Sequence, residues 1–223
     1  MSPVHRIAKF LFGMAIFVGL PLIGWGMGDF GIFFAHPARF GYVLMVVFLQ
    51  LFVVLRFPEA GGEKRGTVTA CDRLELLPFQ ILPLIIVLVA SYADRRSIAV
   101  FGNSGGTRYL GLVLFSLGFV FMIWAEASLG RNFNLYLKVQ NGHKLVTDGP
   151  YRYVRHPRYL GIIVFFVGIS LVYRSWLALI FVTLLVVAIL WRIRKEEQLL
   201  HQVFGIEWES YVRKSWRLLP FVY

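Results

Sequence analysis

Apolar and polar residues are segregated into long blocks along this chain. Mostly apolar blocks occupy residues 10–27, 40–57, 74–92 and 109–129, and a longer one fills 159–191. A helix needs about 20 residues, each rising about 1.5 Å, to cross a hydrocarbon core about 30 Å thick, so each of the first four blocks predicts one spanning helix. The fifth is too long for one crossing. Tyr173, Arg174 and Ser175 interrupt it and predict a helical hairpin, each arm roughly 15 to 17 residues and short for a full crossing. Pro78 and Pro83 are expected to bend the third helix. The polar, glycine-bearing stretches 61–71 and 102–107 read as loops. The Gly-Gly pair in the second follows no strand and carries no phosphate-binding fingerprint. His5, Arg6 and Lys9 precede the first block in the manner of a signal peptide. The length of that block and the lack of a small-residue cleavage site instead predict a retained span.

Composition sharpens this pattern into a class. The 223 residues are 58% hydrophobic and only 16% charged, with mean hydropathy +0.68. That leaves too little polar surface for a water-soluble domain and excludes disorder. One cysteine excludes a disulfide framework and a thiolate metal site. The expected fold is all-α and polytopic, with about six transmembrane helices, the last two a hairpin, followed by a polar helical segment.

Charge sets an orientation. The formal net charge is +11, and no basic stripe coincides with a nucleic-acid recognition motif, so no nucleic-acid partner is expected. Retained basic residues beside anionic headgroups explain the excess better. Alternating six spans across the bilayer puts 18 of the 23 Lys and Arg on the side of the N-terminus and 5 on the other. Both termini are therefore expected in the cytoplasm, as in a bacterial inner membrane or the endoplasmic reticulum. The polar segments 130–158 and 192–223 then share one face, where chemistry can be assembled. Of the acidic residues, Glu126 lies within the fourth span as drawn. Its place near a helix end suits pairing with a local arginine better than lining a transport route.

Two segments carry unusual residues. Residues 143–161, HKLVTDGPYRYVRHPRYLG, hold an Asp-Gly-Pro turn and then Arg155, His156 and Pro157, the last suited to the first position of the fifth helix. An aromatic, basic interfacial belt would account for much of this composition, but a belt does not require His-Pro or a turn that folds the tyrosines back. Residues 192–200, RIRKEEQLL, follow the hairpin. Arg192 and Glu196 are four apart and share a helix face, in the less stabilising order for a salt bridge. A solvated helix end explains the spacing equally well. Two carboxylates beside an embedded helix end also suit an ammonium group, and the arginine a carboxylate.

Together, LVTDGPYRYVRHPRYLG, RIRKEEQLL, the later FGIEWESYVRKSWRLLP and the earlier ASLGRNF at 127–133 resemble the isoprenylcysteine carboxyl methyltransferase family, grouped with the phospholipid methyltransferases. The resemblance covers roughly residues 125–220. It implies two regions: 1–110, with three transmembrane helices and their loops, and a methyltransferase core at 111–223. That core holds the fourth helix, a cofactor loop at 130–158, the hairpin at 159–191 and the C-terminal segment at 192–223. It also implies S-adenosyl-L-methionine as cofactor, in a pocket lined by Gln140, His143, Lys144, Leu145, Val146, Tyr151, His156, Pro157, Arg158, Tyr159 and Glu196. Gln140 sits closer to His143 than the family pattern has it, and Arg158 replaces a small or apolar residue. Arg192 is the implied catalytic and substrate-binding arginine, orienting a carboxylate. Glu197 is the base expected for an amine acceptor. The implied acceptor is lipid-like and enters from the bilayer, most naturally a carboxylate such as prenylated cysteine. A phospholipid, small amine or thiol remains open, and the sequence is silent on oligomeric state. Two other readings stand beside it: a nicotinamide-dependent membrane sterol reductase with a related C-terminal architecture, and a small transporter or scaffold.

Overall fold

The computed structural model describes residues 3–56, 70–102, 105–130 and 145–220. The described residues form helices and isolated bridges, with no strand among them. Five helical stretches are long and apolar enough to cross a membrane: Val4–Trp25, Pro37–Leu55, Leu76–Arg96, Gly105–Leu129 and Trp176–Phe204. A sixth, Pro157–Val172, is apolar but shorter. The chain is an integral, polytopic, all-helical membrane protein. Its outward positions agree: Phe12, Phe48, Val120 and Val187 are each more than half exposed, which suits lipid and not water.

The first span joins α1 (Pro3–Met14), a π-helical turn (Ala15–Gly19) and α2 (Leu20–Trp25). Pro21 has no N–H to give the Phe17 carbonyl one turn earlier. The turn widens there, and the buried Tyr42 hydroxyl donates to the Phe17 carbonyl at 2.8 Å. After the short α3 (Phe30–Ala35), Pro37 begins α4 (Pro37–Arg56). α5 (Ala70–Arg96) contains Pro78 and Pro83 and runs past the expected end of the third span. Asp94, left outside the third span by the sequence reading, therefore lies inside it.

α6 (Gly105–Leu129) and α7 (Pro157–Val172) pack backbone to backbone. Gly111 and Gly118 on α6 face Gly168 and Gly161 on α7, and a Cβ added to any of the four would meet backbone or side-chain atoms at under 3.0 Å. Small residues facing each other let helices approach closely where no hydrophobic effect drives association. The hairpin turn places Arg174 at φ 52°. Ser175 then caps α8 (Trp176–Phe204), accepting from the Ala178 N–H at 3.0 Å. The first arm is as short as expected. The second is not, because the charged stretch after Trp191 continues the helix for 29 residues in all. Gly205 (φ 49°) turns the chain into α9 (Ile206–Val212).

A knot of buried charge closes one end of the bundle. Asp94 of α5, its side chain fully buried, receives Arg39 of α4 at 3.3 Å, Arg108 of α6 at 2.8 Å and Arg174 of the hairpin turn at 3.0 Å. The arginines also serve helix ends. Arg39 donates to the Phe33 and Ile32 carbonyls at 2.8 Å, and Arg108 to the Val172 carbonyl at 2.7 Å. Carbonyls left without partners in a last helical turn are thus satisfied by guanidinium groups that also favour the negative end of the helix dipole.

Candidate active site at the opposite end

The other end is built from the chain entering α7 and the charged extension of α8. Gly149 adopts φ 60°, and a Cβ there would press on the Ser128 hydroxyl, so the turn needs glycine twice over. A 3₁₀ turn (Gly149–Arg152) buries Tyr151, and burial raises its phenol well above the ordinary range. The residues that follow run beside the C-terminal segment. Trp216 N–H donates to the Tyr153 carbonyl at 2.9 Å, and Arg155 N–H donates to the Trp216 carbonyl at 2.7 Å. Tyr211 of α9, its phenol pushed up to about 12 chiefly by burial, donates to the Tyr151 carbonyl at 2.7 Å.

Pro157 starts α7, so Arg158 and Tyr159 fall in its first turn. Arg158 reaches Glu126 of α6 at 2.8 Å, the local pairing expected for that carboxylate. The Tyr159 hydroxyl donates to Glu196 Oε2 at 3.0 Å and accepts from Arg192 Nε at 2.9 Å. Arg192 is buried, and its guanidinium lies 5.4 Å from the ring centre of Phe79 on α5. Glu196 is half-buried.

The next carboxylate has another fate. Glu197 Oε1 takes Arg155 Nε at 3.0 Å and faces His156 Nε2 at 3.4 Å, while Oε2 takes Arg217 at 2.6 Å. Arg155 also donates to the Val212 carbonyl at 3.2 Å and to that of Ser215. Glu197, the residue expected as a base for an amine acceptor, is thus engaged by Arg155, His156 and Arg217. These groups clamp the C-terminal segment to α7. His156 belongs to the same clamp, its side chain 3% exposed.

Tyr151, His156, Pro157, Arg158, Tyr159, Arg192, Glu196 and Glu197 therefore converge on one end of the bundle. Leu145 and Val146 are half-buried in extended chain before the turn. Gln140, His143 and Lys144 lie outside the described residues. Sequence reading named Arg155 in its motif without a role, and it missed Arg217, which looked like a generic basic residue, and Phe79, whose role appears only when α5 packs against α8. A shallow groove lined by Arg194, Glu197, Gln198, His201, Gln202 and Arg217 lies beside the clamp. At 100° per residue it follows the stripe of α8 opposite Arg192 and Glu196, so it is not their pocket. Among the described residues, no group of three His, Cys, Asp or Glu is placed to hold a metal ion.

Comparison with known proteins agrees with the motif residues. The phospholipid methyltransferase family model matches residues 107–207. A probable protein-S-isoprenylcysteine O-methyltransferase of Oryza sativa subsp. indica is 36% identical over 121 residues, 51% of this chain and 61% of that protein. The chain thus spans about three fifths of the first curated relatives it matches. A protein-S-isoprenylcysteine O-methyltransferase of Schizosaccharomyces pombe is 26% identical over 95% of this chain and 90% of its own length. The steroid 5-alpha-reductase DET2 of Solanum lycopersicum is 33% identical over 66% of this chain and 57% of that protein. The resemblance to the isoprenylcysteine carboxyl methyltransferase family, read from the residues alone, is borne out.

Proposed function

We propose, for a chain whose residues 107–207 match the phospholipid methyltransferases, that it methylates the carboxylate of a lipid-like acceptor, such as a prenylated cysteine, with S-adenosyl-L-methionine as donor. The observation that carries this reading is the division of labour between two adjacent carboxylates. Glu196 is half-buried beside Tyr159 and Arg192, whereas Glu197 is consumed by Arg155, His156 and Arg217. A buried guanidinium, beside a carboxylate whose remaining oxygen is assigned to the donor, favours an anionic acceptor over an ammonium one.

The residues fit the donor's polar groups. Glu196 keeps Oε1 for an ammonium, and the aromatic faces of Tyr151 and Tyr159 suit adenine or a sulfonium. Leu145, Val146, Pro157 and Arg158 supply wall and mouth, and Gln140, His143 and Lys144 are proposed to complete the pocket. When bound, S-adenosyl-L-methionine supplies a methyl group on a sulfonium, an electrophile a carboxylate attacks in line without losing a proton. The protein's work is then to position and to exclude water. Arg192 holds the acceptor carboxylate, stiffened by Phe79 and by its bond to Tyr159. The apolar acceptor chain arrives from the bilayer between spans, and both termini lie in the cytoplasm.

Calorimetric titration of the detergent-solubilised protein with S-adenosylhomocysteine tests the reading. Micromolar binding is expected, weakened at least tenfold (~1.4 kcal/mol) in Glu196→Gln. Labelled methyl transfer to an N-acetylated prenylcysteine is expected, and none to ethanolamine headgroups. Absence of S-adenosylhomocysteine binding, or oxidation of NADPH with a steroid enone in its place, overturns it.

A further inference from the structure

The Tyr159 hydroxyl stands between the two groups assigned to the two halves of the reaction. It accepts from Arg192 Nε at 2.9 Å and donates to Glu196 Oε2 at 3.0 Å, from a side chain almost wholly buried in the first turn of α7. Arg192 and Glu196 lie four residues apart on one face of α8, so a single phenol reaches both. A phenol has one proton. With that proton on Glu196, only lone pairs face Arg192, and the direction of the relay is fixed: guanidinium to phenol to carboxylate.

We infer that Tyr159 is a positioning residue that couples the acceptor and donor half-sites, so that a carboxylate on Arg192 tightens the hold of Glu196 on the donor's ammonium group. The inference rests on the reading of Arg192 and Glu196 given above. A guanidinium donating to the phenol oxygen makes the phenol a stronger donor, and charge-assisted bonds in series polarise one another. An acceptor carboxylate draws the guanidinium's charge toward itself and weakens its bond to the phenol. The phenol then satisfies Glu196 less well, and Glu196 holds an ammonium more tightly. Linkage requires the reverse effect to be equal: the donor's ammonium on Glu196 strengthens acceptor binding. Cooperative formation of the ternary complex follows from one hydroxyl.

S-adenosylhomocysteine is the proper probe, because it keeps the ammonium but lacks the sulfonium that would attract a carboxylate directly. Its affinity is measured with and without saturating N-acetylated prenylcysteine, in the wild type and in Tyr159→Phe. The wild type is expected to bind it at least about fivefold more tightly with the acceptor present, and Tyr159→Phe less than about twofold. A second measurement needs no variant. The uncharged prenylcysteine amide, which cannot draw on Arg192, should give the wild type no more than the variant's enhancement. Coupling that persists in Tyr159→Phe or with the amide overturns the inference, as does a wild type without coupling. Failure of S-adenosylhomocysteine to bind at all overturns the assignment of the site itself.

Discussion

The two ends of the bundle use the same residue types to opposite ends. Around Asp94, three guanidinium groups and one carboxylate are buried, and their partners are internal: each other and the orphan carbonyls of α3 and α7. At the other end, Arg192, Tyr159 and Glu196 are linked in series, and Glu196 remains partly open. A buried charge whose partners are all within the chain holds helices together, whereas one with bonding capacity turned outward is ready for a ligand. Glu197 shows that nearness to Glu196 is not the criterion. It sits next to Glu196 in sequence and belongs with Asp94 in kind.

The contrast is broken most severely at Asp94. Asp94→Asn leaves three buried guanidinium groups around a neutral amide, and losing one partner of a buried ion network costs about 3–5 kcal/mol. The expected outcome, by thermal unfolding in detergent, is a large fall in Tm with no folded population that binds S-adenosylhomocysteine poorly. A folded variant with Tm intact but a weakened site would show that the knot acts on the chemistry. Glu197→Gln is next. It loosens the clamp and should destabilise by about 2–3 kcal/mol, in keeping with a hydrogen-bonded charged group, while changing affinity for S-adenosylhomocysteine by less than about threefold. A Tm unchanged with methyl transfer abolished would make Glu197 the base. The smallest effect belongs to Tyr211→Phe, which deletes the bond to the Tyr151 carbonyl and should cost about 1 kcal/mol. Loss of transfer without loss of stability there would move α9 from support to chemistry.

What the sequence could disclose follows from the range of each signal. Spans declare themselves over about 20 consecutive residues, and the motif segments lie close in sequence, so both were legible. The extension of α8 beyond Trp191 was not, because charged residues that end an apolar block do not end a helix. Asp94 escaped notice because its three arginines come from distant parts of the chain. Those same arginines counted as loop charges in the orientation argument, although burial removes them from any contact with headgroups. The glycines at 111, 118, 161 and 168 repeat at seven-residue intervals in both helices. That regularity is visible in the letters, but only the pairing of α6 with α7 shows that it is an interface.

One contact bears on how such proteins diversify. The ring beneath the Arg192 guanidinium is Phe79, which precedes the 107–207 segment shared with the phospholipid methyltransferases. The floor of the proposed anion seat is thus furnished by a part of the chain outside that shared segment. Under the proposed function, exchange of α5 alone would retune which greasy acid is accepted while the donor grip stayed inherited, and a fragment cut to the shared segment would arrive without that floor.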